Sequence, residues 1–396
     1  MLKGKNIILA VTGSIAAYKI ASLASMLKKL NANVTVLMTE NATNFINPIT
    51  FETLTGNKCL IDTFDRNFQY SVEHVAIAKL ADVVLVAPAS ANIIGKIAGG
   101  LADDMLTTTV MACKCKKIVS PAMNTNMFEN PIVQDNITKL KRFGIEVIEP
   151  DTGYLACGDI GAGKMPSEGV LLEYILKEVA YEKDLKGKKV IVTAGPTQER
   201  IDPVRYITNH STGKMGYALA KNCMLRGAEV VLVTGKTQLQ VPMFVKVKQV
   251  LSAKEMFDAV VEEYEDADIV IKAAAVADYR PSEVSNEKIK KQGASLELAL
   301  ERTDDILAYL GKHKQQQYLC GFSMETENLL ENSKAKLVRK NLDMIVGNNL
   351  KQDGAGFGGD TNIVTCITKD QVLELPLMSK VEVAEAIVDN ILNDIK

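Results

Sequence analysis

Histidine is scarce in this chain: His74, His210 and His313 lie far apart, and neither HExxH nor a paired CxxC pattern occurs. A zinc centre built on protein side chains is therefore not expected, because such centres need clustered nitrogen or thiolate ligands. Cysteine is sparse too. Seven cysteines without regular spacing do not form a secreted disulfide framework and point to a reducing compartment. No run reaches the roughly 18 apolar residues of a membrane helix. Charge of one sign is also missing, with 46 Lys+Arg against 48 Asp+Glu, so no chain-wide cationic field exists to hold a nucleic-acid backbone. The remainder is ordinary globular usage: 396 residues, 47% hydrophobic and 24% charged. At roughly 150 residues per domain, two or three domains are expected.

The opening residues resemble a short signal peptide, but Thr12-Gly13-Ser14 interrupts the apolar run and helical spacing follows, so a strand, a glycine turn and a helix fit better. A cytoplasmic protein is expected. The same phrase occurs twice: Leu2-Lys3-Gly4-Lys5-Asn6-Ile7-Ile8 returns as Leu185-Lys186-Gly187-Lys188-Lys189-Val190-Ile191. Each copy opens a domain, and the charged stretch before the second places the boundary near 182 to 187. Strands are expected at Asn6–Val11, Asn33–Met38, Val83–Ala87 and Lys117–Ser120, with helical periodicity over Ile20–Leu30 and Asn92–Met111. The second half repeats this grammar with strands at Lys189–Ala194, Glu229–Thr234, Ile269–Ala273 and Met344–Asn348, and helices at Ala218–Arg226 and Ala253–Tyr264. Alternating strands and helices predict an α/β fold of two doubly wound Rossmann-like domains, 1–182 and 186–396. Ligands then lie beyond the carboxyl ends of the strands.

Glycine spacing alone misleads. Gly158 to Lys164 has P-loop spacing, but Met165 comes next and supplies no hydroxyl for Mg²⁺, so Cys157–Met165 reads as a mobile glycine-rich loop. Ser211-Thr212-Gly213-Lys214 reads equally as an anion cradle or a capped helix start. At the first strand ends, Gly13, Ser14 and Ile15, and then Ser90 and Asn92, put small residues and hydroxyls where helix N-termini favour a phosphate. Two such turns suit a phosphorylated planar cofactor. Asn124, between Met123 and Met127, is either a turn-capping amide or a carboxylate-binding group. His74 is either a structural histidine, the more common fate of a lone one, or a candidate acid or base. Cys157 is a thiol on a closing loop, with a role as a small hydrophobe still open.

In family order, the Gly13–Ala16 turn, the His74 segment, Ala87–Asn92, Pro121–Met127 and Ala156-Cys157-Gly158 with Gly161–Met165 resemble the flavin-containing cysteine decarboxylases. The likeness spans nearly the whole first domain, with Phe128 where many relatives have Trp. It implies an FMN flavoprotein that oxidises the cysteinyl thiol side of 4′-phosphopantothenoylcysteine. Loss of CO₂ into the resulting carbon–sulfur double bond follows, and net redox change is zero. By family position His74 is base or substrate orienter, Asn124 holds the departing carboxylate, and Cys157 donates the final proton. Gly13, Ser14, Ile15, Ser90 and Asn92 lie at the cofactor.

In the second half, Gly195-Pro196-Thr197, Asn209–Gly216, Ala273–Asp278 with Tyr279-Arg280, and Lys288-Ile289-Lys290-Lys291 resemble phosphopantothenate–cysteine ligases. Taken by themselves, Asp202 and Arg205 read as a surface ion pair or a phosphate frame, the alanine run as a packing seam, and the lysine run as a solvated face. The resemblance implies that Asp278 and Lys288 lie at a nucleotide whose pocket Thr303, Asp304, Asp305, Ile306, Phe322, Lys336 and Lys340 complete, and that Asn209 meets the acyl group. Thr303-Asp304 departs from the usual Asn-Pro of that loop. It further implies CTP as co-substrate with Mg²⁺ held through phosphates and water. A carboxylate attacks the α-phosphorus, and cysteine then displaces CMP from the acyl cytidylate. Taken together, the two halves resemble the bacterial bifunctional proteins of coenzyme A biosynthesis, which implies a homo-oligomer, up to a dodecamer, acting on small molecules without nucleic acid or membrane. Two other readings compete. A flavodoxin-like electron carrier fused to a Rossmann dehydrogenase leaves Cys157 and the lysines without roles. A non-enzymatic regulatory subunit leaves the set of His74, Asn124 and Cys157 unexplained.

Overall fold

Long apolar runs with no polar alternation require burial on both faces, and this is how the central strands sit: residues 7–11 and 190–194 are all buried. In the computed structural model the described residues are 1–65, 73–156, 158–290, 296–325, 327–349, 356 and 358–395. They form two units, Met1–Glu182 and Lys183–Lys396.

The first unit runs β1 (Asn6–Val11), α1 (Ala17–Lys29), β2 (Asn33–Met38), α2 (Pro48–Thr55), α3 (Glu73–Leu80), β3 (Val83–Ala89), α4 (Ala91–Gly99) and α5 (Met105–Ala112). It continues through β4 (Lys116–Pro121), α6 (Thr125–Phe128), α7 (Pro131–Arg142), β5 (Glu146–Val147), a hairpin of β6 (Asp151–Tyr154) and β7 (Ile160–Lys164), and α8 (Glu168–Val179). The parallel sheet has the order β2-β1-β3-β4-β5, with its switch point between β1 and β3. Ile8, Val84 and Val86 of the sheet pack with Ile93, Ile97 and Leu140 in one apolar cluster.

Two expectations are corrected in this unit. The helical span over Asn92–Met111 is two helices, because α4 ends on left-handed Gly100 at φ 73° and α5 restarts at an Asp104–Thr107 capping box. The described part of the glycine-rich loop is a hairpin. Its glycines allow backbone contact: a Cβ on Gly163, at φ 125°, would lie 2.3 Å from the Met123 carbonyl oxygen.

The second unit runs β8 (Lys189–Ala194), β9 (Gln198–Arg200), β10 (Tyr206–Thr208), α9 (Lys214–Leu225), β11 (Glu229–Thr234), β12 (Lys246–Gln249), α10 (Ala253–Tyr264), β13 (Ile269–Lys272) and β14 (Tyr279–Pro281). Then come β15 (Leu300–Arg302), α11 (Ile306–Lys312), β16 (Tyr318–Glu325), α12 (Leu329–Arg339), β17 (Met344–Asn349), β18 (Thr361–Ile367), β19 (Val372–Ser379) and α13 (Lys380–Ile395). Its sheet order is β12-β11-β8-β13-β16-β17-β18-β19, parallel through β17 and closed by antiparallel β18 and β19. The first six strands have the dinucleotide-fold order, with the crevice between β8 and β13. Both units are α/β and Rossmann-like, and the antiparallel edge is the departure from a purely parallel sheet. No helix among the described residues is long and apolar enough to cross a membrane.

Candidate active sites

A cavity of about 530 Å³ opens at the carboxyl ends of β1, β3 and β4. The turn after β1 contributes Gly13, Ser14 and Ile15, the turn after β3 contributes Ser90, and the turn after β4 contributes Asn124. The hairpin supplies its outer wall through Tyr154 and Gly163. Thr12 ties the first two turns together: its hydroxyl donates to the Pro88 carbonyl at 2.6 Å and accepts from Ser90 N–H at 3.1 Å. The start of α1 carries no side-chain cap and no acidic residue in its first turn, so its amide dipoles remain available to an anion.

The Asn124 side chain is a turn-capping amide that also reaches the hairpin. Its Oδ1 caps α6 by accepting from Asn126 N–H at 2.9 Å, while its Nδ2 donates to Asp159 on the hairpin. Asn92 is exposed on α4 and does not line the cavity, and His74 is half-buried at the start of α3, also outside the lining. Cys157 and Lys291 lie outside the described residues.

The second unit has two adjoining cavities at the carboxyl end of its sheet. One, about 390 Å³, is lined by Asp278, Thr303, Asp304, Asp305, Ile306, Phe322, Lys336 and Lys340, which are the residues expected at a nucleotide apart from Lys288. The other, about 320 Å³, is lined by Asn209, the Ser211–Gly216 turn and the alanines after β13. Local bonds explain the convergence. Thr303 N–H donates to Asp278 O and its hydroxyl to Ala277 O, which folds the β15–α11 loop over the end of β13. Asp305 caps α11 and pairs with Lys340 at 2.6 Å. Burial opposes the Asp305 charge, but Lys340 and the Ala308 N–H hold its carboxyl below the usual range. Asn209 Nδ2 donates to Ala275 O at 3.0 Å. Gly216 lets α9 approach β8, since a Cβ there would lie 2.5 Å from Ala194 Cβ. The Ser211–Lys214 turn starts α9 on left-handed Gly213 without a side-chain cap.

Lys288 is exposed and lines neither cavity. Its neighbour Ile289 is held at both backbone groups, donating N–H to buried Asp202 at 3.2 Å and accepting from Arg205 at 2.9 Å. Asp202 and Arg205 thus anchor the lysine segment. Desolvation acts against the Asp202 carboxylate, yet donations from Val204, Ile289 and Arg205 N–H keep its pKa lowered.

Sequence reasoning missed Lys272, which lines both cavities from the end of β13. The available signal was a lysine closing the apolar strand Ile269-Val270-Ile271. It also missed Asn348, Asn362 and Lys380, which the mixed edge of the sheet brings to the second cavity. Asn348 is 5% exposed, and its Oδ1 has no hydrogen-bond partner among the described residues.

Comparison with known proteins accords with this division. The Flavoprotein family matches residues 1–180, and the DNA/pantothenate metabolism flavoprotein C-terminal domain family matches residues 185–395. The class is therefore a flavoprotein domain followed by a pantothenate-metabolism domain. The "Coenzyme A biosynthesis bifunctional protein CoaBC" of Bacillus subtilis is 46% identical over 395 residues, 99% of this chain and 97% of that protein. The protein of that name from Borreliella burgdorferi is 42% identical over 98% of this chain and 99% of its own length. A crystal structure of the C-terminal domain of such a protein is 47% identical, with a TM-score of 0.46, over 53% of this chain and 97% of that one. This chain belongs to the family of bifunctional coenzyme A biosynthesis proteins.

Proposed function

We propose that the unit Lys183–Lys396 condenses 4′-phosphopantothenate with cysteine using CTP, and that Met1–Glu182 decarboxylates the product to 4′-phosphopantetheine with FMN. Decarboxylase and ligase activities are those of the family to which the chain belongs. The observation that carries the ligase reading is the convergence of Asp278, Thr303–Ile306, Phe322, Lys336 and Lys340 on one cavity beside Asn209. Cationic side chains there balance the charge that gathers on phosphate as the substrate carboxylate attacks the α-phosphorus and pyrophosphate leaves. The cysteine amine then attacks the acyl carbon and CMP departs. Asn209 supports the acyl group without acting as a nucleophile, and Lys288 approaches the phosphates from its anchored segment. Mg²⁺ is held through phosphate oxygens and water rather than a protein ligand cluster.

The residues around the first cavity fit FMN. Its volume, near 530 Å³, suits a ligand of that size, and the Ser14 and Ser90 hydroxyls with the uncapped start of α1 suit its phosphate. Gly13 leaves no room for a side chain, since a Cβ would lie 2.9 Å from Asn41 Cβ. Bound FMN supplies reversible two-electron oxidation of the cysteinyl carbon, which gives the carboxylate a sulfur-conjugated sink into which to lose CO₂. Asn124 binds that carboxylate, His74 orients or deprotonates the substrate, and Cys157 supplies the closing proton. A cytoplasmic homo-oligomer is part of this reading, on the cysteine usage and the family resemblance.

The test is incubation with phosphopantothenate, Mg²⁺ and CTP, followed by mass spectrometry before and after adding cysteine. An acyl cytidylate that cysteine consumes is expected. Equal turnover with ATP would remove CTP as the nucleotide.

A further inference from the structure

Among the described residues, Lys336 is the one other lysine that lines both cavities with Lys272. Lys272 ends β13, pairs in register with Thr193 of β8 and Gly321 of β16, and so stands at the switch-point crevice. It lines both the cavity that holds Lys340 and Asp305 and the cavity that holds Asn209. Beyond it, the chain turns through Ala273 to Ala275, whose carbonyl accepts from Asn209. The seam between the two cavities is therefore where an acyl group held near Asn209 would meet a phosphate held near Lys336 and Lys340.

The charges at this seam do not cancel. Lys336 of α12 and Lys340 at its end face Lys272 from one side, with Asp305 at the start of α11 and Asp278 in the loop after β13. Asp304 and Arg302 complete the same cavity, while Lys214 and Lys380 border the other. Asp305 is already engaged by Lys340. Among the described residues no ion pair engages Lys272 or Lys336. Two ammonium groups without carboxylate partners in one cavity repel each other until an anion binds between them.

Resting on the ligase reading, we infer that Lys272 is a phosphate-contacting residue of the ligase site, bridging the nucleotide and acyl cavities and holding the phosphate at which the two reactants meet. Removal from water and the neighbouring Lys336 and Lys340 push its pKa down to about 8. The negative charge of a bound polyanion outweighs both effects, so Lys272 takes up a proton from solvent when the nucleotide enters. This charges the ammonium at the place where phosphate charge is greatest.

The test is calorimetric titration of the full chain with Mg²⁺ and CTP at pH 8, repeated in buffers of different ionisation enthalpy to count protons. Wild type is expected to take up about half a proton per nucleotide, because a group with a pKa near the working pH is about half charged when free. Lys272→Arg keeps a cation that does not deprotonate, so it is expected to bind without that uptake. Lys272→Met is expected to bind about tenfold or more weakly, as loss of a charge-assisted hydrogen bond costs. Unchanged proton uptake in Lys272→Arg, or unchanged affinity in Lys272→Met, would overturn the assignment while leaving the ligase reading intact. Absence of CTP binding by wild type would instead reject that reading, and the assignment with it.

Discussion

Asn124 and Asp159 are joined by a hydrogen bond of 2.9 Å from the amide Nδ2 to the carboxylate Oδ2, linking the turn after β4 to the hairpin that walls the first cavity. Because Asn126 N–H fixes the Asn124 Oδ1, the amide cannot turn over without losing its cap, and its Nδ2 is held toward Asp159. Asn124→Asp removes the amide donors and places a negative charge beside Asp159 and, on the proposed reading, beside the substrate carboxylate. Decarboxylation of phosphopantothenoylcysteine should fall at least about hundredfold in kcat/KM, while flavin absorbance stays at the wild-type level. Asp159→Asn keeps an acceptor and should cost less than about tenfold.

The anchoring of Ile289 makes a separate prediction for the ligase. Asp202→Asn weakens its hold on the backbone beside Lys288, and Lys288→Gln removes the ammonium itself. Each should lower pyrophosphate release by about tenfold or more, with decarboxylation unchanged. The double variant should lose little beyond either single one, since both act through the same side chain. Additive losses in a double-mutant cycle would separate Asp202 from Lys288.

Glu263, buried at the end of α10, lies 2.8 Å from Lys189, 2.9 Å from Lys246 and 2.7 Å from Lys248, at the edge of the sheet opposite the cavities. These lysines outweigh burial and hold its carboxyl well below the usual range. A carboxyl depressed in the folded state contributes fully above its unfolded pKa, about 4.3, and progressively loses that contribution as pH falls toward the folded value. Glu263→Gln should lower denaturation stability by about 3 kcal/mol at neutral pH. The gap should narrow below about pH 4.5, and turnover in both reactions should be unaffected. A gap of equal size at pH 3 and pH 7 would contradict this cause.

Residues 1–182 expressed alone should fold, bind FMN and retain decarboxylase activity, because the cavity lining of that half comes entirely from within Met1–Glu182. A soluble fragment without flavin, with flavin recovered on 186–396, would reverse the assignment of the halves.

How much was legible depends on the kind of signal each residue carries. Asn6–Val11 and Lys189–Ala194 are readable because a strand buried on both faces is a bare apolar run ended by glycine. The turn after the first of them was readable as a cavity wall for the same reason, since parallel strands deliver their C-terminal turns to one edge of the sheet. The break in Asn92–Met111 needed attention to Gly100 and Asp104, where capping outweighs periodicity. Lys272 looked like the polar end of a strand. Its place in both cavities depends on β16 pairing alongside, with Gly321 opposite it in register. The lysine segment at Lys288 could be matched by family order, but not its distance from the cavity lining, because Asp202 sets its backbone from far away in sequence.

The most direct test of the two-step synthesis supplies the full chain, with FMN, with phosphopantothenate, cysteine, CTP and Mg²⁺, and monitors the products by mass spectrometry over time. The expected result is phosphopantothenoylcysteine appearing together with CMP and pyrophosphate, then giving way to 4′-phosphopantetheine and CO₂ without a net electron donor. Unchanged phosphopantothenate and cysteine, with the flavin instead reduced by NADH, would contradict it and favour the electron-carrier reading.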